Sequence, residues 1–153
     1  MEENKLEKTI DEELLSNLIK ASDSTKKFTM YSPAQLAYAG DAVYELLVRS
    51  YIIHNHDINV NKMHKISVNF VKANSQAYVI SKLEDELTEE EKRIVKRGRN
   101  AKITSSPKNV DIMDYRYATG FEALFGFLYL NNELKRLVYL FDKSVEIINE
   151  KDE

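Results

Sequence analysis

Apolar residues recur along the chain at the three- and four-residue spacing of amphipathic helices, and no stretch alternates apolar and polar residues as a strand does. This spacing predicts helices over residues 5–21, 32–53, 62–83, 114–130 and 133–148. A capping box at Thr88 opens one more short helix, which we expect to stop at Gly98 in the C′ position. We expect residues 99–110 to form a loop and residues 149–153 to be a frayed tail.

Helix breakers are rare, with four glycines and two prolines in 153 residues, while 43% of the residues are hydrophobic. A chain of this length and composition can bury a sizeable core in one domain. We therefore predict an all-α fold and a single domain over residues 1–153. The absence of cysteine excludes disulfides and thiolate metal sites. The polar N-terminus and the lack of an apolar run of about 20 residues indicate a cytoplasmic protein with no membrane partner.

Charge is unevenly distributed along the chain, whose net charge is −3. Residues 92–108 hold seven basic residues and neither an acidic nor an aromatic one, which favours contact with RNA phosphates and 2′-hydroxyls and disfavours a platform for stacking single strands. The alternative for residues 92–97 is a solvated helix face paired with Glu89 and Glu90. The candidate RNA-binding residues are Arg97, Arg99, Asn100, Lys102 and Lys108.

Two carboxylates lie on the two most apolar helices. Asp41 is the only charged residue in residues 34–44, and Glu122 is the only one in residues 117–132. Helices that are apolar nearly all round are buried ones. An unpaired carboxylate on such a helix costs several kcal/mol, so it normally has a counter-charge, hydrogen bonds or a metal.

Three glycines lie next to these carboxylates: Gly40 precedes Asp41, while Gly120 and Gly126 bracket Glu122. Glycine inside a helix costs about 1 kcal/mol relative to alanine, so these positions need a reason. Close approach of two helices is one reason, and access of a metal or a phosphate is another. For the carboxylates themselves, the alternatives are a shared divalent metal and core carboxylates satisfied by a tyrosine, Arg49 or Arg116.

Other polar residues near these helices carry weaker signals. Glu45, four residues after Asp41, either orients a metal-bound water or pairs with Arg49. Asp111 and Asp114 precede the Glu122 helix, where they favour its positive N-terminal end, and we leave both out of the site. A zinc site is disfavoured because the chain has no cysteine and its histidines lack zinc-site spacing; they are His54, His56 and His64.

Three segments in a fixed order carry a family resemblance. The run Ala39-Gly40-Asp41-Ala42-Val43, within residues 36–45, resembles the Leu-Gly-Asp-Ala-Val signature of the ribonuclease III catalytic domain. Residues 119–126 resemble the second acidic motif of that family, with Glu122 at its glutamate. Residues 96–102 and 107–109 resemble, more narrowly, the mini-ribonuclease III family.

The resemblance implies a helical domain of the ribonuclease III catalytic-domain type, with its core at about 28–148 behind the N-terminal helix at about 5–21. It implies a homodimer that binds double-stranded RNA and cuts it with Mg²⁺, for which Mn²⁺ can substitute. Asp41 and Glu122 would be both the catalytic residues and the metal ligands. Members of the small subfamily mature the ends of the 23S ribosomal RNA precursor, which makes a ribosomal protein a conceivable partner. They lack a separate double-stranded-RNA-binding domain, and we expect none after Ile148.

The sequence departs from the larger relatives at three acidic positions. Further carboxylates that precede the Asp41 position by four and seven residues are replaced here by Ala37 and Ala34, and an acid before the Glu122 position is replaced by Thr119. Two carboxylates suit Mg²⁺, which keeps several waters and completes its shell with substrate phosphate. The missing acids also motivate an alternative, a non-catalytic double-stranded-RNA-binding or ribosome-assembly factor with the same fold.

Overall fold

The computed structural model describes residues 31–102 and 106–153, and within them all regular secondary structure is helical. Six α-helices follow in order: α1 Pro33–Asn55, α2 Val60–Val71, α3 Ala73–Leu83, α4 Glu89–Arg99, α5 Ile112–Leu130 and α6 Leu134–Asp152. Residues Tyr31–Glu153 form one compact unit. The predicted all-α class is therefore confirmed, whereas the helix predicted at 5–21 lies outside the described residues. None of the described helices is long and apolar enough to cross a membrane.

The helix starts follow the capping signals in the sequence. The Ser32 hydroxyl accepts from the Gln35 backbone N–H at 3.1 Å, the Gln35 side chain closes the box, and Pro33 occupies the first turn of α1. Thr88 and Glu91 form the same box at the start of α4. Asp111 caps α5 by accepting from two backbone N–H groups, which accounts for its place before that helix.

The helix predicted over 62–83 is in fact two helices, α2 and α3, separated at Lys72. Lys72 has an extended backbone, with φ −63° and ψ 150°, although neither glycine nor proline marks the break. Packing explains it, because α2 lies mainly against α1 whereas α3 lies mainly against α5. A single straight helix would not bury both Phe70 of α2 and Ile80 of α3 against these different neighbours.

Two predicted helix ends are also corrected. Helix α4 does not stop at Gly98 but continues to Arg99, and Gly98 has no left-handed backbone because it is buried against α5. The chain after Ile148 is not a frayed tail, since α6 runs to Asp152. There the Asn69 side chain donates a hydrogen bond to the Asp152 carboxylate at 2.8 Å, which ties the end of α6 to α2.

Helix α5 is the centre of the fold, with α1, α3 and α4 packed around it. Residues 123–128 of α5 are all buried, as expected of a helix that is apolar nearly all round. Tyr44 of α1 makes edge-to-face contacts with Phe121 and Phe125, with ring centroids 4.8 and 5.3 Å apart. Its hydroxyl donates to the Phe70 carbonyl at 3.2 Å, so the buried polar atom is satisfied.

All four glycines of the chain lie where another helix meets α5. A Cβ on Gly40 would overlap the backbone carbonyl of Glu122, and one on Gly126 would overlap the carbonyl of Leu36. Likewise, a Cβ on Gly98 would come within 2.8 Å of the Gly120 Cα. Of the two reasons considered for these glycines, close helix approach is therefore the one that the structure supports.

Helix α4 is fixed to α6 by a partly buried ion pair. The Arg136 guanidinium donates to both carboxylate oxygens of Glu91, at 2.9 and 3.0 Å, and to the Glu86 carbonyl at 2.7 Å. Burial by itself would raise the pKa of Glu91, but hydrogen bonds from Arg136 and Thr88 outweigh it and lower that pKa. Glu91 is thus kept ionised, and α4 is held against the rest of the domain.

The glycine crossing makes a first prediction. Replacing Gly40 with alanine should lower the free energy of unfolding by about 2 kcal/mol or more, because the added methyl group forces α1 away from α5. Helix propensity alone would predict the opposite sign, a gain of about 1 kcal/mol. Urea denaturation of Gly40→Ala measures the change. Ala34→Ser, which also adds one atom but at an exposed position of α1, should stay within about 0.5 kcal/mol of wild type. If Gly40→Ala were more stable than wild type, the close approach of α1 to α5 at Gly40 would be contradicted.

Candidate active site

The packing of α1 against α5 brings Asp41 and Glu122 close together. Gly40 of α1 lies against the backbone of Glu122 on α5, so the next residue along α1, Asp41, stands beside Glu122. The proximity is also electrostatic, since the charge of Asp41 acts on the Glu122 carboxyl. The main sequence prediction, that residues 81 positions apart converge, therefore agrees with the geometry.

Both carboxyl groups bind protons more tightly than ordinary ones. Burial, and then the neighbouring charge of Asp41, raise the pKa of Glu122 to about 7. Burial and the charge of Glu45 raise the pKa of Asp41. Neighbouring carboxylates resist being ionised together, and the cost falls mainly on Glu122, because Glu122 is half-buried whereas Asp41 is solvent-exposed. A positive charge between them would relieve both costs.

No described side chain supplies that positive charge. Arg49, one of the candidate partners, is used by Glu45, whose carboxylate lies 3.1 Å from the Arg49 Nε. The ion pairs among residues 31–102 and 106–153 include neither Asp41 nor Glu122, and no tyrosine hydroxyl in this part of the chain bonds to either. The interpretation as core carboxylates neutralised by arginine or tyrosine is thus not supported.

Gln76 is a site residue that the sequence analysis missed. It lies on α3, is only 2% exposed, and its side chain hydrogen-bonds the Glu122 carboxylate, which partly offsets the raised pKa of Glu122. Since a carboxylate only accepts, the amide NH₂ of Gln76 is the donor. The sequence signal was weak, because Gln76 follows other small polar residues and its burial depends on the break at Lys72.

The donor set fits a hard divalent cation that is held by few protein ligands. Asp41 and Glu122 offer carboxylate oxygens, which Mg²⁺ prefers. No cationic side chain among the described residues forms an ion pair with either of them. No group of three or more histidine, aspartate or glutamate side chains in the described part of the chain is arranged to hold a metal. Thr119, which stands where the larger relatives carry an acid, donates its hydroxyl hydrogen to the Tyr115 carbonyl at 2.9 Å. Waters and substrate phosphate would complete the shell.

The histidines lie elsewhere and do not form a cluster. The His54 ring contacts the Ser50 carbonyl through Nδ1 at 2.6 Å, and the His56 ring packs edge-on against Tyr51.

The basic residues predicted to bind RNA follow the second glycine crossing, which packs α4 against α5, the helix that carries Glu122. Gly98 of α4 lies against Gly120, two residues before Glu122 on α5. The basic residues on either side of Gly98 diverge from this point. Arg97 donates to the Tyr31 carbonyl at 3.3 Å, beside the start of α1, whereas Arg99 lies over the Tyr117 ring at 5.3 Å.

The remaining basic positions are solvent-exposed. Asn100 ends α4, and Lys102 and Lys108 lie on either side of residues 103–105, which are outside the described range. Arg99 belongs to the last turn of α4 and not to the loop, which corrects the predicted boundary. For residues 92–97 the alternative interpretation was a solvated helix face paired with acidic residues. It holds at one position, where Lys92 pairs with Glu89 at 3.5 Å.

Comparison with known proteins gives consistent matches. The chain matches the Ribonuclease III domain family over residues 34–133. It is 50% identical over 119 residues to Mini-ribonuclease 3 of Thermoanaerobacter sp. (strain X514), covering 78% of this chain and 84% of that protein. It is 48% identical over 123 residues to Mini-ribonuclease 3 of Clostridium tetani, covering 80% and 82%. A crystal structure of a Fusobacterium nucleatum protein matches with a TM-score of 0.71 at 30% identity, covering 80% of this chain and 98% of that one.

These matches cover the segments from which the site is built. The family match includes both carboxylates, Gln76 and the whole of residues 92–108. The chain therefore belongs to the ribonuclease III domain family and, within it, to the mini-ribonuclease III group.

Proposed function

We propose that this member of the ribonuclease III family is a Mg²⁺-dependent endoribonuclease that cleaves double-stranded RNA. We further propose that it acts in the cytoplasm on the ends of the 23S ribosomal RNA precursor, with a ribosomal protein as a conceivable partner. One observation carries the catalytic part of the proposal: Asp41 and Glu122 are adjacent, both have a raised pKa, and no described cationic side chain neutralises them.

Each site residue has a distinct task in this proposal. Asp41 and Glu122 would hold the cation, and Gln76 orients the Glu122 carboxylate toward Asp41 by donating a hydrogen bond from its amide. When bound, a divalent cation would lower the pKa of a water molecule and would compensate the negative charge that develops on the phosphate. Glu45 is paired with Arg49 and contributes negative charge beside Asp41. The raised pKa of Glu122 means that the site is ready to bind a cation only when this carboxyl has lost its proton.

Binding of the duplex would use the basic end of α4 and the residues that follow. Arg97, Arg99, Asn100, Lys102 and Lys108 offer cations and a polar amide within one short segment. The crossing of Gly98 and Gly120 packs the start of that segment against α5, the helix that carries Glu122. Contacts to phosphates and 2′-hydroxyls recognise the shape of A-form RNA more than its sequence.

A homodimer is supported by an exposed apolar stripe on α1. Tyr38, Leu46 and Ile53 are 86%, 67% and 63% exposed, and their spacing of eight and seven residues places them on one side of the helix. Large exposed apolar patches commonly mark protein contacts. A second copy seated on this stripe would lie close to Asp41, so the two sites would face one groove.

Removing either carboxylate should abolish cleavage. Asp41→Asn or Glu122→Gln should reduce the rate on a radiolabelled duplex by at least about 100-fold in Mg²⁺, because the remaining carboxylate holds the cation poorly. Duplex affinity measured by gel shift should change little. The control Asp142→Asn removes an exposed carboxylate on α6 and should leave the rate unchanged. Full activity in a site variant would remove that residue from the mechanism, and a wild-type protein that binds duplex without cutting it would favour the non-catalytic alternative.

Gln76 should act through Glu122, so its loss should be seen in the metal requirement. Gln76→Leu keeps the volume roughly constant but removes the donor, and we expect the Mg²⁺ concentration for half-maximal activity to rise about 10-fold. Activity should recover when Mg²⁺ is raised, which a general loss of folding would not do. Ser75→Ala, a change at a neighbouring buried polar residue, should keep the wild-type requirement. An unchanged requirement in Gln76→Leu would assign Gln76 to packing alone.

Arg99 and Lys102 should account for part of the salt dependence of RNA binding. Replacing Arg99 and Lys102 with alanine should weaken duplex binding and reduce the slope of log K against log salt by about one to two, since each phosphate contact contributes roughly one counterion. The matched control is Lys62→Ala/Lys65→Ala, which removes two exposed charges from α2. Equal slopes for the two double variants would show that only net charge matters and that the loop does not contact phosphate.

A further inference from the structure

A basic cavity lies between α3, α4 and α5, and apart from Arg99 its residues have no task in the mechanism above. Its volume is about 570 Å³, within the range of roughly 300–1,000 Å³ that is typical of small-molecule sites. It is bounded by α3, α4, the first turns of α5 and the end of α6. Four cationic side chains line it: Lys92, Lys96, Arg99 and Lys151. This concentration of positive charge on a chain of net charge −3 indicates an anionic ligand.

Two tyrosine rings complete the cationic wall. Lys151 Nζ lies 4.5 Å from the centre of the Tyr78 ring, and the Arg99 guanidinium lies 5.3 Å from that of Tyr117. The basic segment, residues 92–108, contains no aromatic residue, and the sequence alone therefore disfavoured a platform for stacking the bases of single strands. Packing against α3 and α5 supplies the missing rings. Stacking of bases on aromatic rings combined with cations is the usual chemistry of single-stranded RNA binding.

The rest of the lining is suited to a nucleobase. Ala77, Ile80 and Val95 are buried apolar residues that form part of the wall. Glu84 and Asp114 also line the cavity and can accept hydrogen bonds from the amino groups of a base. Cations for a phosphate, rings and apolar walls for a base, and acceptors for its amino groups together describe a nucleotide. A base-paired duplex is too large for such a volume.

The cavity is close to the carboxylates along two helices. Tyr117 precedes Glu122 by five residues of α5, about 7.5 Å along the helix axis. On α3, Ala77 lines the cavity and directly follows Gln76, which bonds Glu122. Tyr117 and Glu122 lie about 140° apart around α5, so a strand held at Asp41 and Glu122 passes partly around this helix and needs at least about two unpaired nucleotides to reach the cavity.

We propose that this cavity binds an unpaired nucleotide of the RNA strand whose duplex occupies the neighbouring site. This inference rests on the proposed function, and it adds a second recognition element: a preference for RNA with unpaired nucleotides next to the duplex. The phosphate of that nucleotide lies against Lys92, Lys96 and Arg99, and its base lies against Tyr78 or Tyr117.

The test compares three RNAs on the uncleaving Asp41→Asn background. One is a blunt duplex, and the others are the same duplex with two unpaired nucleotides at the 3′ or at the 5′ ends. Affinity by fluorescence anisotropy in Mg²⁺ should be at least about five-fold higher for one extended duplex than for the blunt one. Equal affinity for all three would overturn the proposal. Failure to bind even the blunt duplex would instead count against the proposed function.

Substitutions of cavity residues test whether the higher affinity for the extended duplex arises in the cavity. Tyr78→Leu and Lys96→Ala should each reduce the advantage of the extended duplex to about two-fold or less, while blunt-duplex affinity stays near wild type. Arg93→Ala removes an exposed charge from the same helix but outside the cavity, so it should keep the full advantage. Lys96 is exposed, so its variant stays informative even if Tyr78→Leu fails to fold. An advantage that survives both cavity variants would also overturn the proposal.

Free nucleotides distinguish the source of the ligand. Millimolar adenosine or guanosine monophosphate should compete with the extended duplex and not with the blunt one, because only the former occupies the cavity. Stabilisation by a free mononucleotide that is lost in Tyr78→Leu, without any advantage for extended RNA, would reject the RNA strand in favour of a free nucleotide as the ligand.

Discussion

The structure depends on how closely two helices approach α5. Glycines remove the side chains at both crossings, so α1 and α4 meet the α5 backbone itself. One crossing, at Gly40 and Gly126, sets Asp41 beside Glu122. The other, at Gly98 and Gly120, sets the basic end of α4 two residues from Glu122. A methyl group at either place would move a charged group away from the site, which explains why the cost of glycine inside a helix is accepted here.

The same packing that builds the site also makes it costly to leave empty. Burial and the charge of Asp41 raise the pKa of Glu122 to about 7, and Gln76 offsets only part of that rise. Burial and the charge of Glu45 raise the pKa of Asp41. Elsewhere in the described residues a buried carboxylate is neutralised: Glu91 is paired with Arg136, and its pKa is lowered. The contrast between these two environments separates a carboxylate that fixes a helix from carboxylates that are available to a cation.

The basic segment gains its chemistry from its neighbours. Alone it offers only cations, but packing of α4 against α3 and α5 adds the rings of Tyr78 and Tyr117 and the apolar wall around them. Because α4 is held by the Glu91–Arg136 pair at its start and by Gly98 near its end, these groups keep fixed positions relative to Glu122. Duplex binding and recognition of a neighbouring nucleotide would thus share one rigid support.

The sequence by itself determined the helical class and the capped starts at Ser32 and Thr88, and it singled out Asp41 and Glu122 as candidate site residues. These follow from periodicity, local hydrogen bonding and the cost of burying a carboxylate, or from a family signature that is local in sequence. Only the tertiary structure decided the break at Lys72, the continuation of α4 through Gly98, the role of Gln76 and the cavity beside Tyr117. Each of these depends on which distant helix a residue packs against, and neither propensity nor spacing along the chain contains that information.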